Sequence, residues 1–117
     1  MLQHIVLWKI KEDFQGVPKS QLIQEFKDQL ERLPELISDI DHLQVFVNAE
    51  GEGEQVCDLC LLSMHADTET LKRYANHPEH QKVLLLDKNI VIERRVVDAI
   101  SSILLLCPIS MKFKNTQ

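Results

Sequence analysis

Hydrophobic and polar positions along the chain switch between two periods. Residues 4–10 (HIVLWKI) are β-branched, aliphatic and aromatic, which predicts a strand, and Phe14-Gln15-Gly16-Val17-Pro18 ends it with turn formers. Over residues 19–33 the period lengthens: Leu22, Phe26, Leu30 and Leu33 recur at spacings of four, four and three, one stripe of a helical surface. Pro18 suits the first turn of that helix and Pro34 closes it, since a proline there lacks an N–H and crowds the preceding turn. The period returns to two over residues 43–47, where Leu43, Val45 and Val47 alternate with Gln44 and Phe46. Residues 48–54, polar and with two glycines, read as an exposed hairpin connection to a third strand at 56–64. Asp67 or Thr68 then caps a short helix with Leu71, Tyr74 and Ala75 on one side. Pro78 starts another through residue 86, and residues 89–97 form the fourth strand.

The resulting order, β-α-β-β-α-α-β, predicts an α+β, ferredoxin-like subunit: a four-stranded antiparallel sheet with helices on one face. Such a sheet normally alternates to polar residues on its uncovered face. This one does not. Ile5 and Leu7 oppose Val6 and Trp8 in the first strand, and Cys57, Leu59 and Leu61 oppose Cys60, Leu62 and Met64 in the third. Leaving such side chains in water costs about 1.5–3 kcal/mol each. A homodimer packed sheet to sheet, helices outside, buries them in a barrel-like core. The competing solution is that the apolar tail, residues 100–109, folds back over the sheet or reaches a neighbour. Residues 1–99 are therefore read as one domain, and 100–117 as an apolar C-terminal extension without an assigned role.

Composition narrows the function classes without choosing among them. The chain has 117 residues, 13.6 kDa, 44% hydrophobic and 26% charged, which fits one water-soluble domain. A net charge of −5 offers no electrostatic attraction to nucleic acid or an anionic membrane, so neither is expected as a partner. The run 100–109 is half a membrane span and is broken by Ser101, Ser102 and Pro108. Met1-Leu2-Gln3-His4 leads directly into a strand, with no signal-peptide pattern. Three cysteines make no disulfide framework and point to a reducing, cytoplasmic setting. Cys57 and Cys60 form a CxxC spacing, but in a strand residues three apart face opposite ways, so both read as small buried hydrophobes. No cofactor is expected, and no carboxylate is placed to complete a metal site with the histidines.

The informative segment is Tyr74-Ala75-Asn76-His77-Pro78-Glu79-His80, with two imidazoles, a phenol and an amide around a helix–helix corner. His80 falls in the first turn after Pro78, where a helix N-terminus disfavours imidazolium and keeps a proton acceptor available. With Tyr74 holding an oxygen, that makes a general base and its oxyanion partner. The bland alternative is a structural corner: His77 caps the helix while Tyr74 and His80 satisfy each other. His4 reaches the corner only through the fold, whereas His42 and His65 read as solvated strand edges.

The residues His4-Ile5-Val6-Leu7-Trp8-Lys9-Ile10-Lys11, Tyr74 through His80, and Val96-Val97-Asp98, in that order and spacing, resemble the stress-responsive dimeric α/β-barrel (Dabb) family. The resemblance covers about residues 1–99 and implies a ferredoxin-like subunit that dimerises through its sheets. It also implies, from a plant member that cyclises a linear polyketide by aldol condensation, a general base at His80, an assisting phenol at Tyr74 and a supporting histidine at His4. That member's further third-strand histidine aligns near Leu59, so its contact is missing here, and Phe26 is the one aromatic matching its first-helix pocket wall. Three readings follow: a homodimer whose pocket, lined by His4, His77 and Phe26, takes a small apolar molecule for acid–base chemistry next to a carbonyl; a non-catalytic stress or scaffold dimer; and, by analogy of fold alone, a cofactor-independent monooxygenase, for which Trp8 and Asn76 are present without a motif that ties them together.

Overall fold

The computed structural model describes residues 1–49 and 53–100. The elements are β1 (Leu2–Ile10), β2 (Asp13–Phe14), β3 (Val17–Pro18), α1 (Lys19–Glu31), α2 (Leu33–Leu36), β4 (His42–Val47), β5 (Leu59–His65), α3 (Thr68–Asn76), α4 (Pro78–Ile90) and β6 (Val91–Ile100). The main sheet has order β4-β5-β1-β6 with antiparallel neighbours, the ferredoxin-like arrangement that the sequence predicts.

Register decides which residues share a face. Val6 sits opposite Leu61 on one side and Val96 on the other, and His4 lies between Ser63 and Asp98. His4, Val6, Trp8 and Ile10 therefore project with Leu59, Leu61, Ser63 and His65 onto one face, and all eight are buried. The helices cover that face. Leu22, Phe26 and Leu30, the predicted stripe of α1, pack there with Leu33, Ile37, Tyr74, Val83 and Ile90. Opposite them, the outer face carries Ile5, Leu7, Cys60, Leu62, Phe46 and Val97, with Leu7, Phe46 and Val97 exposed in the single chain.

Several boundaries move, each for a local reason. Residues 14–18 make a two-stranded ribbon, β2–β3, turning at Gln15 and Gly16, both with positive φ. The first helix stops at Glu31, and Pro34 lies at the start of a further single turn instead of closing the helix, because its missing N–H has no intrahelical duty there. The second corner helix runs to Ile90, beyond residue 86, because Val83, Asp87 and Ile90 continue its buried stripe at spacings of four and three. That pushes the last strand from 89–97 to Val91–Ile100. Strand β5 begins at Leu59, so Cys57 precedes it; both cysteines are half-buried, and burial pushes the Cys60 thiol up, away from thiolate character. The tail at 101–117 and part of the expected hairpin connection, 50–52, lie outside the described residues.

Candidate acid–base site

The corner is built by two consecutive caps. Asp67 accepts from the Thr70 backbone N–H at 2.9 Å while the Thr70 hydroxyl oxygen accepts from the Asp67 N–H at 3.1 Å, a capping box that starts α3. One helix later His77 ends α3 and begins α4, its Nδ1 accepting from the Glu79 N–H at 3.1 Å. With Pro78 next, the chain turns sharply and His80 lands in the first turn of α4, facing back towards Tyr74. The His80 Nδ1–H donates to the Ala75 carbonyl at 3.0 Å. A carbonyl only accepts, so the proton is on Nδ1 and, in the neutral ring, the lone pair is on Nε2. Burial lowers the His80 pKa, and the nearby His4, Arg94 and His77 lower it further against the opposing Ala75 bond.

Tyr74 is 2% exposed, and burial pushes its phenol well above the ordinary range, with Arg94 pulling weakly the other way. It is therefore a hydrogen-bond donor at neutral pH. Its ring lies 4.5 Å from that of His80, 5.0 Å from His65 and 6.1 Å from His4, centroid to centroid. His4 is held from the other side by Asp98, Nδ1 to Oδ1 at 2.5 Å, across the β1–β6 ladder. Phe26 and Trp8 form the apolar end, edge to face at 4.9 Å.

His4, Trp8, Phe26, Tyr74, His80, Asp87 and Arg94 all wall one small cavity. Its volume, about 10 Å³, is on the scale of a single water. Of the residues singled out in the sequence, Tyr74, His80, His4 and Phe26 come together there, whereas His77 stands apart because its ring is committed to capping α4. Asn76 is exposed at the end of α3, away from Trp8, so the pair invoked for monooxygenase chemistry does not meet. A roomier cleft, about 530 Å³, lies at the far end of β1, where Lys19 bridges Glu12 and Asp58 at 3.1 and 3.2 Å and Lys9 Nζ donates to the Gly53 and Glu54 carbonyls at 2.8 and 2.9 Å. Among the described residues no group of three or more His, Cys, Asp or Glu side chains is arranged to hold a metal ion.

His65 corrects the expectation of a solvated strand edge. It is fully buried, its Nδ1–H donating to the Asp39 carbonyl at 2.9 Å and its Nε2 accepting from the Ser63 hydroxyl at 2.9 Å. Burial lowers its pKa as well. His42, by contrast, is exposed as expected. The signal for His65 was present in the period-two series Leu59, Leu61, Ser63, His65, which sets it on the inner face. Asp98, Asp87 and Arg94 had no local signal, because only register and helix packing bring them to the cavity.

The chain matches the Stress responsive A/B Barrel Domain (Dabb) family over residues 2–101. No curated protein matches it. Among solved structures, a dimeric protein of unknown function with a ferredoxin-like fold from Bacteroides fragilis is 32% identical, with 84% of this chain and 93% of that one covered and a TM-score of 0.71. A dimeric ferredoxin-like protein of unknown function from Thermobifida fusca shares 16% identity over 84% and 88% of the two chains, TM-score 0.68. The hydroxynitrile lyase of Passiflora edulis shares 11% identity over 92% and 96%, TM-score 0.73, a likeness of fold alone. With the matched span covering nearly all of the chain and the predicted corner in place at the end of α3, this protein belongs to the stress-responsive A/B barrel domain family.

Proposed function

We propose that the chain works as a cytoplasmic homodimer, joined through its outer sheet face, and that each subunit removes a proton next to the carbonyl of a small, largely apolar compound. One observation carries the chemistry. The Nδ1–H of His80 is committed to Ala75, so Nε2 is its basic atom, and Tyr74, a protonated phenol, walls the same cavity with its ring 4.5 Å from that of His80. A neutral imidazole accepts the proton while the phenol O–H stabilises the oxygen on which charge develops. These two groups suffice for enolisation without a cofactor. His4, oriented by Asp98, supports the pair, Phe26 supplies apolar wall, and His77 positions His80 by capping its helix. The dimer is supported by the apolar outer face and by similar solved structures described as dimeric.

A second reading, a non-catalytic stress or scaffold dimer with a structural corner, is favoured by the cavity's size, since any substrate larger than water requires a wall side chain to move. The two readings separate on proton exchange. Short methyl ketones and β-keto acids in D₂O, followed by NMR, should lose their α-protons faster with the protein present. His80→Ala should remove about 10²–10⁴-fold of that acceleration. Equal exchange with wild type and His80→Ala sinks the acid–base reading, and the corner is then structural.

A further inference from the structure

Asp58 undoes the alternation that would part Cys57 from Cys60. In the β1–β5 ladder Leu59 lies opposite Trp8, yet the Asp58 N–H also donates to the Trp8 carbonyl, at 2.8 Å. Two successive residues thus face one, a β-bulge that bends the chain at the start of β5. The contacts of Asp58 show which side it takes. Its Oδ2 accepts from the Ile10 N–H at 2.8 Å, and its Oδ1 meets the Nζ of Lys19, the first residue of α1, at 3.2 Å. Asp58 therefore turns to the helix side, where Leu59 is buried as well. Cys57, one residue earlier, returns to the outer side that Cys60 shares with Leu7 and Phe46. Both cysteines accordingly wall one cleft of about 310 Å³, with Leu7, Phe46 and Val47 as its apolar lining. Both are free, half-buried thiols, near enough that charge on Cys57 acts on Cys60. The divergence expected of residues three apart in a strand is cancelled by the extra residue.

Two thiols on an apolar wall restrict what they hold together. Zinc takes four ligands, and among the described residues no third His, Cys, Asp or Glu side chain joins the pair. Magnesium and calcium take oxygen, but the one carboxylate on the cleft wall, Asp58, is held by Lys19 and the Ile10 N–H. A soft monovalent cation such as Cu(I) prefers sulfur and is satisfied by two thiolates in a near-linear arrangement. On binding, each thiol releases its proton to solvent and forms one metal–sulfur bond, leaving a unit of net charge −1 with no change of oxidation state. Exposed Asn48 and Gln55 wall the loop end of the same cleft, which gives a cation its way in from solvent.

We propose that Cys57 and Cys60 form a two-thiolate site for a soft monovalent cation of the Cu(I) class, complete within one chain. It lies on the sheet face opposite His80 and stands whether or not the acid–base reading does. The chain's third cysteine, Cys107, is removed as Cys107→Ser in the full-length protein, so that only this pair of thiols remains. That protein is titrated anaerobically with Cu(I) against a chromophoric Cu(I) chelator, and with Ag(I) as a redox-inert counterpart. One cation should bind per chain. Adding Cys57→Ser or Cys60→Ser should each weaken binding by about 100-fold, the advantage of a second ligand tethered to the first. Wild-type protein supplies a readout that needs no substitution: bound Cu(I) should protect Cys57 and Cys60 together from iodoacetamide, read by peptide mass spectrometry. Protection of one cysteine alone, serine variants that bind as their parent does, or one cation per two chains overturns the pair as a site within the chain. Zn(II) held as tightly as Cu(I) overturns the soft-cation class. No cation bound overturns the site outright.

Discussion

Two histidines of this protein, His65 fully buried and His80 half-buried, are shielded from water for different purposes, and their titration is coupled to folding in the same direction. His65 and His80 both have pKa values lowered by burial, so the unfolded chain takes up protons near 6.5 that the folded chain refuses. Stability is then fully present above about pH 6.5 and falls as the pH drops below it, by at most about 1.4 kcal/mol per pH unit for each group. Asp87, raised by burial, acts with the opposite sign, its penalty growing as the pH climbs from its ordinary value near 4. Urea midpoints should therefore decline between pH 7.5 and 5.5, with two imidazole Cε1–H resonances titrating below 6.5. A flat profile over that window contradicts the burial of these rings.

At the scale of elements, the corner depends on one side chain serving as the end of α3 and the start of α4. The His77 ring accepts from the Glu79 N–H, one of the donors that a helix start leaves without an intrahelical partner. His77→Ala should cost about 0.5–2 kcal/mol, the usual worth of an N-cap, while His77→Asn, a strong capping residue, should recover most of it. Urea denaturation of the two variants decides the matter. If Asn fails to recover what Ala loses, the imidazole does something other than capping. Asp67 and Thr70 do the same for the start of α3, and together these caps set where Tyr74 and His80 stand relative to each other.

For the molecule as a whole, the apolar outer face is the main demand on its surroundings. Leu7 lies beside Cys60, which lies beside Phe46, and Ile5 lies between Leu62 and Val97, so the apolar patch crosses the sheet obliquely, with Arg95 beside Leu7 and Gln44 beside Leu62 at its two edges. In the homodimer proposed above, this patch is the interface. Placing Glu at Leu7 and Val97 together should leave the helix-covered core untouched and weaken self-association by a factor of about 100 or more. Sedimentation equilibrium at micromolar concentration reads this directly. A double variant that sediments as wild type removes the sheet face from the proposed dimer.

The four strands of the main sheet, the three longer helices, their order and the two apolar faces of the sheet were legible along the chain, because periods of 2.0 and 3.6 in side-chain chemistry follow from backbone geometry alone, whereas the β2–β3 ribbon and the single turn α2 were not. So were Tyr74, His77 and His80, which share one seven-residue corner whose proline and cap are local features. Helix ends were less legible: α4 outran its prediction because Asp87, a charged residue, is held on the buried stripe by packing and not by hydrophobicity. What only the tertiary structure decided is the company those residues keep. Asp98 meets His4 through strand register, Asp39 meets His65 across 26 positions, and Trp8 meets Asp87 where the sheet passes under α4. Those meetings join residues far apart in the chain, and no local period encodes a distance between elements.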